Sequence, residues 1–95
     1  MMFAIMIDDD GSLQLSGRLD AASVGTARDQ LEQVQTSTRL DFSNLDYIAS
    51  VGLGVLIASQ RRLMESGQGL TLAGLSPHLR EVLSLAGFEG IFAFE

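Results

Sequence analysis

The sequence is poor in the residues on which most enzyme sites are built. Its 95 residues include no cysteine and no lysine, since all six basic residues are arginines, and His78 is the single histidine. Without cysteine there can be no disulfide, thiolate metal site or cysteine nucleophile, and a reducing compartment is indicated. Without lysine, Schiff-base chemistry and the lysine of a phosphate-binding loop are excluded. An enzyme is therefore the least favoured class of function, and we expect no cofactor and no metal ion.

Positive charge and long hydrophobic runs are scarce as well. The net charge is −6 and the arginines form no basic tract, which argues against binding to nucleic acid or to an anionic membrane surface. The apolar run over residues 1–7 is too short for a signal-peptide core or a membrane-spanning helix. We expect a single cytoplasmic domain over residues 1–95, whose 46% of hydrophobic residues fill one core.

Short apolar runs alternate with amphipathic stretches along the chain. Strands are predicted at residues 2–7, 12–16, 39–42 and 70–73, with a last strand or turn at 91–94. Helices are predicted from Asp20 or Ser23 to Val34, from Ser50 to Gly67 and from Ser76 to Gly87. Strands that alternate with helices at this spacing form right-handed parallel crossovers, so the predicted fold class is α/β with a largely parallel portion.

Two polar segments between these elements are predicted to be turns. Residues 8–11 (DDDG) are typical of a tight hairpin turn, because Asp-Gly supplies the positive φ angles that such turns need. An EF-hand calcium loop is not favoured, because its alternating oxygen ligands and distant glutamate are missing. Residues 43–46 (SNLD) are predicted as a second turn, which would separate the strand at 39–42 from the next helix.

The start of the second predicted helix is unusual. Its first residue, Ser50, has a hydroxyl that could cap the free amides of the first turn. Gly52 and Gly54 follow in that turn, although each glycine costs a helix about 1 kcal/mol relative to alanine. Close approach of another backbone, a partner or a phosphate to the helix start would explain both glycines.

Several segments resemble the STAS domain of the anti-sigma-factor antagonist family. They are residues 15–20 (LSGRLD), 40–45 (LDFSNL), 48–56 (IASVGLGVL), 75–77 (LSP) and 86–88 (AGF). They extend over about the whole chain in the family's order. The resemblance implies a STAS-like domain with a mixed four- to five-stranded sheet and helices packed on it. It also implies a partner switch, in which the unmodified protein binds an anti-sigma factor or serine kinase and phosphorylation of the signature serine breaks the complex.

Carried over to this chain, the resemblance makes Ser50 the phosphoacceptor. The partner-binding residues that it implies are Asp20, Ala49, Ser50, Val51, Gly52 and Gly54. The chain departs from the family pattern at two of them, because Ala49 replaces the aspartate before the serine and Val51 replaces the serine or threonine after it. A phosphorylation switch, an unphosphorylated interaction module and a plain helix cap at Ser50 therefore remain open.

A second function is compatible with the same resemblance. STAS-like domains also occur as accessory subunits of membrane transport complexes, including lipid-transport ATPases, where the same helix face docks on a nucleotide-binding domain. The sequence carries no basic patch for direct contact with lipid. In either function the expected partner is a protein, and His78 is expected to be an exposed residue without a catalytic role.

Overall fold

Five strands and three helices alternate in the computed structural model, which describes residues 2–88 and 90–95. The strands are β1 (Ala4–Ile7), β2 (Leu13–Leu19), β3 (Thr38–Ile48), β4 (Leu70–Ala73) and β5 (Ala93–Phe94), and the helices are α1 (Val24–Leu31), α2 (Ser50–Met64) and α3 (Pro77–Leu85). The strands form one sheet in the order β1-β2-β3-β4-β5. β1 is antiparallel to β2, and the other neighbours are parallel. The predicted α/β class with a mixed sheet is confirmed.

The hairpin at the start of the chain forms as predicted. Its turn is closed by two backbone hydrogen bonds, from Asp8 N to Ser12 O at 2.8 Å and from Gly11 N to Asp8 O at 3.0 Å. Gly11 has a φ of +86°, the left-handed region that glycine reaches without strain. The second strand is longer than predicted, because β2 continues beyond residue 16 to Leu19.

The predicted turn at residues 43–46 is wrong. β3 runs without a break from Thr38 to Ile48. Its pairing with β2 shifts register twice, and each shift adds one residue to β3 as a bulge. The buried side chains of β3 are Leu40, Phe42, Leu45 and Ile48. Their spacing of two, three and three residues hides the simple alternation by which a strand is recognised.

The first bulge is held by the carboxylate of Asp41. Its Oδ1 accepts hydrogen bonds from the Ser43 hydroxyl at 2.6 Å and from the Ser43 backbone N–H at 2.9 Å. Arg39 adds a weaker attraction, with its Nη1 3.9 Å from Asp41 Oδ2. The two hydrogen bonds from Ser43, the hydroxyl first, lower the pKa of Asp41 below its ordinary value.

This lowered pKa predicts a pH-dependent contribution to stability. The contribution is fully present above the carboxyl pKa of the unfolded chain, about 3.9, and is lost as the pH falls through the lower pKa of the folded state. Asp41→Asn should therefore reduce the free energy of unfolding by about 1 kcal/mol at neutral pH, because a neutral acceptor forms weaker hydrogen bonds. Urea unfolding as a function of pH measures the effect, with Asp46→Asn, an exposed position of the same strand, as the control. An equal loss at every pH would contradict the assignment.

The three helices contribute to one hydrophobic core on a single face of the sheet. The largest fully buried side chains are all leucines, namely Leu15, Leu19, Leu31, Leu40, Leu56, Leu63, Leu70, Leu72 and Leu79. α1 packs against α2. Arg62 of α2 donates hydrogen bonds to the carbonyl oxygens of Leu31, at 3.0 Å, and Val34, at 2.8 Å. This arginine therefore binds the carboxyl end of α1 to α2.

The third helix begins as the sequence predicts. The Ser76 hydroxyl accepts a hydrogen bond from Leu79 N at 3.1 Å, and Pro77 occupies the first turn. Leu79 and Leu83 are buried, while His78 is exposed as expected. Within the described residues, no helix combines the length and the apolar character needed to cross a membrane.

Candidate functional site

The residues singled out by the sequence lie at the end of the sheet where β2 and β3 finish. Leu19 and Ile48, the last residues of these parallel strands, are paired with each other. The next residues are Asp20 and Ala49, and Ala49 N donates a hydrogen bond to Leu19 O at 2.8 Å. The segments that lead into α1 and α2 therefore start side by side. We call the surface formed by Asp20, Ala49, Ser50, Val51 and Gly54 the switch surface.

The structure changes the interpretation of Ser50. Ala49, with an extended backbone (φ −91°, ψ 167°), occupies the N-cap position, and Ser50 is the first helical residue. Ala49 O accepts the first backbone bonds of the helix, from Gly52 N at 2.9 Å and Leu53 N at 3.1 Å. Among the described residues no side chain caps this helix start, so the interpretation of Ser50 as the N-cap is wrong. Its side chain is exposed and takes no part in capping the helix.

The two glycines of α2 have different surroundings. Gly52 is buried, and a Cβ atom added to it would lie 2.6 Å from Leu19 Cγ and 3.1 Å from Ile48 Cγ1. The close approach that requires this glycine therefore comes from the protein's own core. Gly54 is exposed, with no atom within 4 Å of the position of an added Cβ. Only Gly54 of the pair presents its bare backbone to the outside.

Asp20 organises the turn before α1. Its Oδ1 accepts a hydrogen bond from Ala22 N at 3.1 Å, and its backbone N–H donates to Ser23 Oγ at 3.0 Å. The Ser23 hydroxyl in turn donates to Arg18 O at 2.7 Å. Ser23 occupies the N-cap position of α1 but forms no side-chain cap bond. The two residues predicted as alternative caps therefore close one turn together, and the Asp20 carboxylate remains half-buried at the surface.

An arginine and a tyrosine extend the switch surface onto the open face of the sheet. The guanidinium carbon of Arg18 lies 4.3 Å from the centre of the Tyr47 ring, a cation–π distance. Arg18 Nε is also 3.6 Å from Asp20 Oδ2. Sequence analysis missed Tyr47, which it placed outside any strand. Its pairing with Arg18 depends on the second bulge of β3.

A groove between α1 and α2 opens beside the switch surface. It has a volume of about 500 Å³ and is lined by Arg28, Glu32, Val51, Gly54, Val55, Ala58, Ser59 and Arg62. Val51, with 47% of its surface exposed, stands at the junction of the groove and the switch surface. The groove is apolar with a charged rim, a composition suited to an apolar side chain of another protein. Sequence analysis did not identify its α1 residues, because nothing local relates them to Ser50.

The groups that the switch surface offers are suited to binding. In residues 2–88 and 90–95, no cluster of three or more histidine and acidic side chains is placed to hold a metal ion. His78 lies on α3, outside the groove and the switch surface. The available groups are an exposed hydroxyl at a helix start, a bare glycine backbone, an exposed valine and one carboxylate. This set can bind a protein face, and the hydroxyl can accept a covalent modification.

The chain is similar to a known protein family. A family model described as "Mlab, STAS domain" matches residues 5–93. The match includes the switch surface and the groove. The matched residues also cover all or part of each strand and helix of the described fold.

Two bacterial proteins are similar in sequence. BtrV of Bordetella bronchiseptica, whose name assigns it provisionally to the anti-sigma factor antagonists, is 38% identical over 63 residues. Those residues are 66% of this chain and 54% of BtrV, so the chain matches about half the length of that relative. A STAS-domain-containing protein of Pseudomonas aeruginosa is 30% identical over 84 residues, which are 85% of this chain and 83% of that protein.

The fold is shared with two solved structures of SpoIIAA. The Bacillus cell fate determinant SpoIIAA in its phosphorylated form has a TM-score of 0.71 at 20% identity, over 99% of this chain and 91% of that chain. The anti-sigma factor antagonist SpoIIAA in its unphosphorylated form has a TM-score of 0.73 at 19% identity, over 99% of this chain and 87% of that chain. At these identities the likeness shows a common fold.

Proposed function

This chain belongs to the STAS domain family, and from that premise we propose that it is an anti-sigma-factor antagonist that binds an anti-sigma factor or a related serine kinase. The names of BtrV and SpoIIAA support this class of partner. The observation that carries the proposal is the switch surface, where an exposed hydroxyl, an exposed valine and a bare glycine backbone occur together at one helix start. In this proposal the surface binds its partner and catalyses no reaction. The complex forms in the cytoplasm.

The shape and charge of the surface indicate how a partner would bind. Gly54 allows another backbone to approach α2 closely, and the adjoining groove between α1 and α2 can take an apolar side chain. The net charge of −6 favours a partner with a basic face, because complementary potentials speed association and fix orientation. Asp20 supplies a carboxylate beside the helix start for an arginine or lysine of that partner.

Phosphorylation of Ser50 would end such a complex. A phosphoserine adds a charge of about −1.5 to −2. The free amides and the dipole at the start of α2 would stabilise it on this protein. The same charge would be placed against the partner and close to Asp20, where like charges repel. Because the hydroxyl is not used as a helix cap, modification costs the fold no capping bond.

The test uses a serine kinase of the anti-sigma-factor class from the same organism, with ATP, intact-mass measurement and calorimetry. We expect the mass gain of one phosphate, absent in Ser50→Ala. Ser50→Ala should bind the partner as tightly as the unaltered protein, within about twofold, whereas Ser50→Asp should bind about 100-fold more weakly because charge is buried without a partner. Ser84→Asp places the same charge on the exposed face of α3 and should leave binding unchanged.

The outcomes separate the two parts of the proposal. If the protein binds the partner but gains no phosphate, the phosphorylation switch is disproved and the binding function stands. Recovery of no anti-sigma factor or kinase would overturn the antagonist function itself. Equal losses in Ser50→Asp and Ser84→Asp would show that binding does not use the switch surface.

A second candidate is an accessory subunit of a membrane transport ATPase, docked through the same surface. It is favoured by Ala49 and by the exposed Val51, which replace polar residues of the family pattern and suit a permanent contact better than a modified one. The test is whether the protein forms a complex with a nucleotide-binding transport subunit that persists in the presence of ATP. Such a complex, with no phosphate on Ser50, would favour the transporter function over the antagonist function.

A further inference from the structure

The free edge of the sheet at β1 has the properties of a second binding surface. β1 (Ala4–Ile7) is the first strand of the sheet, and within residues 2–88 and 90–95 it pairs only with β2, so no other described strand occupies its outer side. We propose that β1 binds an extended segment of a partner protein, in which basic residues precede alternating apolar residues, as an added antiparallel strand. Main-chain hydrogen bonds give affinity in this mode, and alternate side chains give specificity.

The sequence of β1 lacks the features that usually protect a sheet edge. Its four residues include no charge and no proline, and its register with β2 has no bulge. Met6 and Ile7 are 64% and 78% exposed. The opposite edge differs, because β5 has only two residues and is followed by Glu95, whose carboxylate accepts a hydrogen bond from Arg39 Nε at 2.9 Å. The edge at β1 is thus the longer of the two.

A groove beside β1 is ready to receive alternate side chains of an added strand. Ile5 and Ile7 pair with Leu15 and Leu13, whose side chains are buried under the helices, so both isoleucines lie on the helix-covered side of the sheet. The groove of about 330 Å³ lies between β1 and α1 and is lined by Ile5, Ile7, Leu13, Val34, Gln30 and Gln33. Its floor is apolar, and the two exposed glutamines can hydrogen-bond an incoming chain.

The charge at the end of β1 selects the partner. Asp8, Asp9 and Asp10 follow Ile7 directly, and the ion pairs found within the described residues use other carboxylates. An antiparallel strand begins where β1 ends, so its first residues lie beside these aspartates. A second copy of this chain would bring residues 2–4 there, which carry no cationic side chain. Charge complementarity therefore favours a basic segment of another protein over self-pairing.

The acidic end of β1 and the switch surface lie at opposite ends of the sheet. Because β1 is antiparallel to β2, Ile7 is beside Leu13 at the amino end of β2, whereas the switch surface lies beyond the carboxyl end of that strand. The amino end of β1 is closer to the switch surface, because Met2 and Phe3 line a cavity with Arg18 and Asp20. The basic residues of an added strand would therefore bind at the end of β1 that is remote from the start of α2.

The test uses a synthetic peptide with three arginines followed by alternating valine and threonine, titrated into the isotope-labelled full chain and followed by NMR. The expected result is a shift of backbone amide signals along β1 and residues 8–10 with little change in α2. Ile7→Lys should weaken binding at least tenfold, while Leu85→Lys, a matched change at an 81% exposed leucine of α3, should leave it within about twofold. Asp8→Asn combined with Asp9→Asn should weaken binding about fivefold at low salt and flatten its salt dependence.

Three results would overturn the proposal. One is a set of signal changes confined to α2, and another is equal affinity for a peptide with glutamates in place of the arginines. The third is a dimer, seen by sedimentation without peptide and dissociated by Ile7→Lys, which would make a second copy the occupant of the edge.

Discussion

A methyl group added at Gly52 should destabilise the protein, whereas the same group added at Gly54 should stabilise it. The Cβ atom of Gly52→Ala would overlap the branched carbon of Leu19 at 2.6 Å, and Leu19 is fully buried. Overpacking of this kind costs about 1–3 kcal/mol. It exceeds the gain of about 1 kcal/mol from replacing a helical glycine.

At Gly54 only the favourable contribution remains. The added Cβ would meet no atom within 4 Å, so Gly54→Ala should raise the free energy of unfolding by about 0.5–1 kcal/mol. Gly52→Ala should lower it by up to about 2 kcal/mol, and Gly52→Val should lower it further because its two extra methyl groups enter the same space. Thermal unfolding measures both changes, since about 1 kcal/mol corresponds to roughly 4–8 °C in a domain of this size.

The glycine pair also separates stability from partner binding. Gly54→Ala adds a methyl group to the switch surface, so we expect it to weaken partner binding although the protein itself becomes more stable. A change of the same sign in stability at both glycines would contradict the packing of α2 against the end of β2. Unchanged partner affinity in Gly54→Ala would show that the bare backbone at this position is not used for binding.

Gln60→Leu should lower the free energy of unfolding by about 2–4 kcal/mol, although the side chains are similar in size. Gln60 is buried in α2, where its Oε1 accepts a hydrogen bond from Leu70 N at 2.7 Å and its Nε2 donates to Ile91 O at 2.8 Å. One amide group thus joins the helix to the start of β4 and to the segment before β5. Leucine would leave a buried N–H and a carbonyl without partners, at about 1–3 kcal/mol for each.

Gln33→Leu, at an exposed position, is the matched control and should change stability by less than about 0.5 kcal/mol. Hydrogen exchange gives a local measurement of the same effect. In Gln60→Leu the amide of Leu70 should exchange faster relative to the amides of β2, because its acceptor is gone. If the two variants lose equal stability, or if Leu70 keeps its protection, the bridging role of Gln60 would be disproved.

Features encoded by neighbouring residues were predictable from the sequence. The turn at residues 8–11 follows from the preference of Asp-Gly for positive φ, and the start of α3 follows from Ser76 and Pro77. The apolar spacing of α1 and α3 follows from the helical period. The absence of cysteine and lysine excluded thiol and lysine-amine nucleophiles before any contact was known.

The path of β3 could not be predicted in the same way. Asp, Asn and Ser at residues 43–46 have strong turn propensities, and local signals alone favour a turn there. Pairing with β2, a strand distant in the sequence, overrides that preference and accommodates the extra residues as two bulges. The bulges then keep Leu45 and Ile48 in the core and bring Tyr47 against Arg18.

The candidate site likewise combines features that the sequence predicted with features that only the structure revealed. The sequence by itself predicted that a helix begins at Ser50 and, through the STAS resemblance, that Ser50, Gly54 and Asp20 contribute to partner binding. Only the tertiary structure decided that Ala49 takes the cap position and leaves the Ser50 hydroxyl uncommitted, and that Gly52 serves the core. The physical reason is that capping and turn preferences act over a few residues, whereas burial and close approach depend on which distant segments fold against one another.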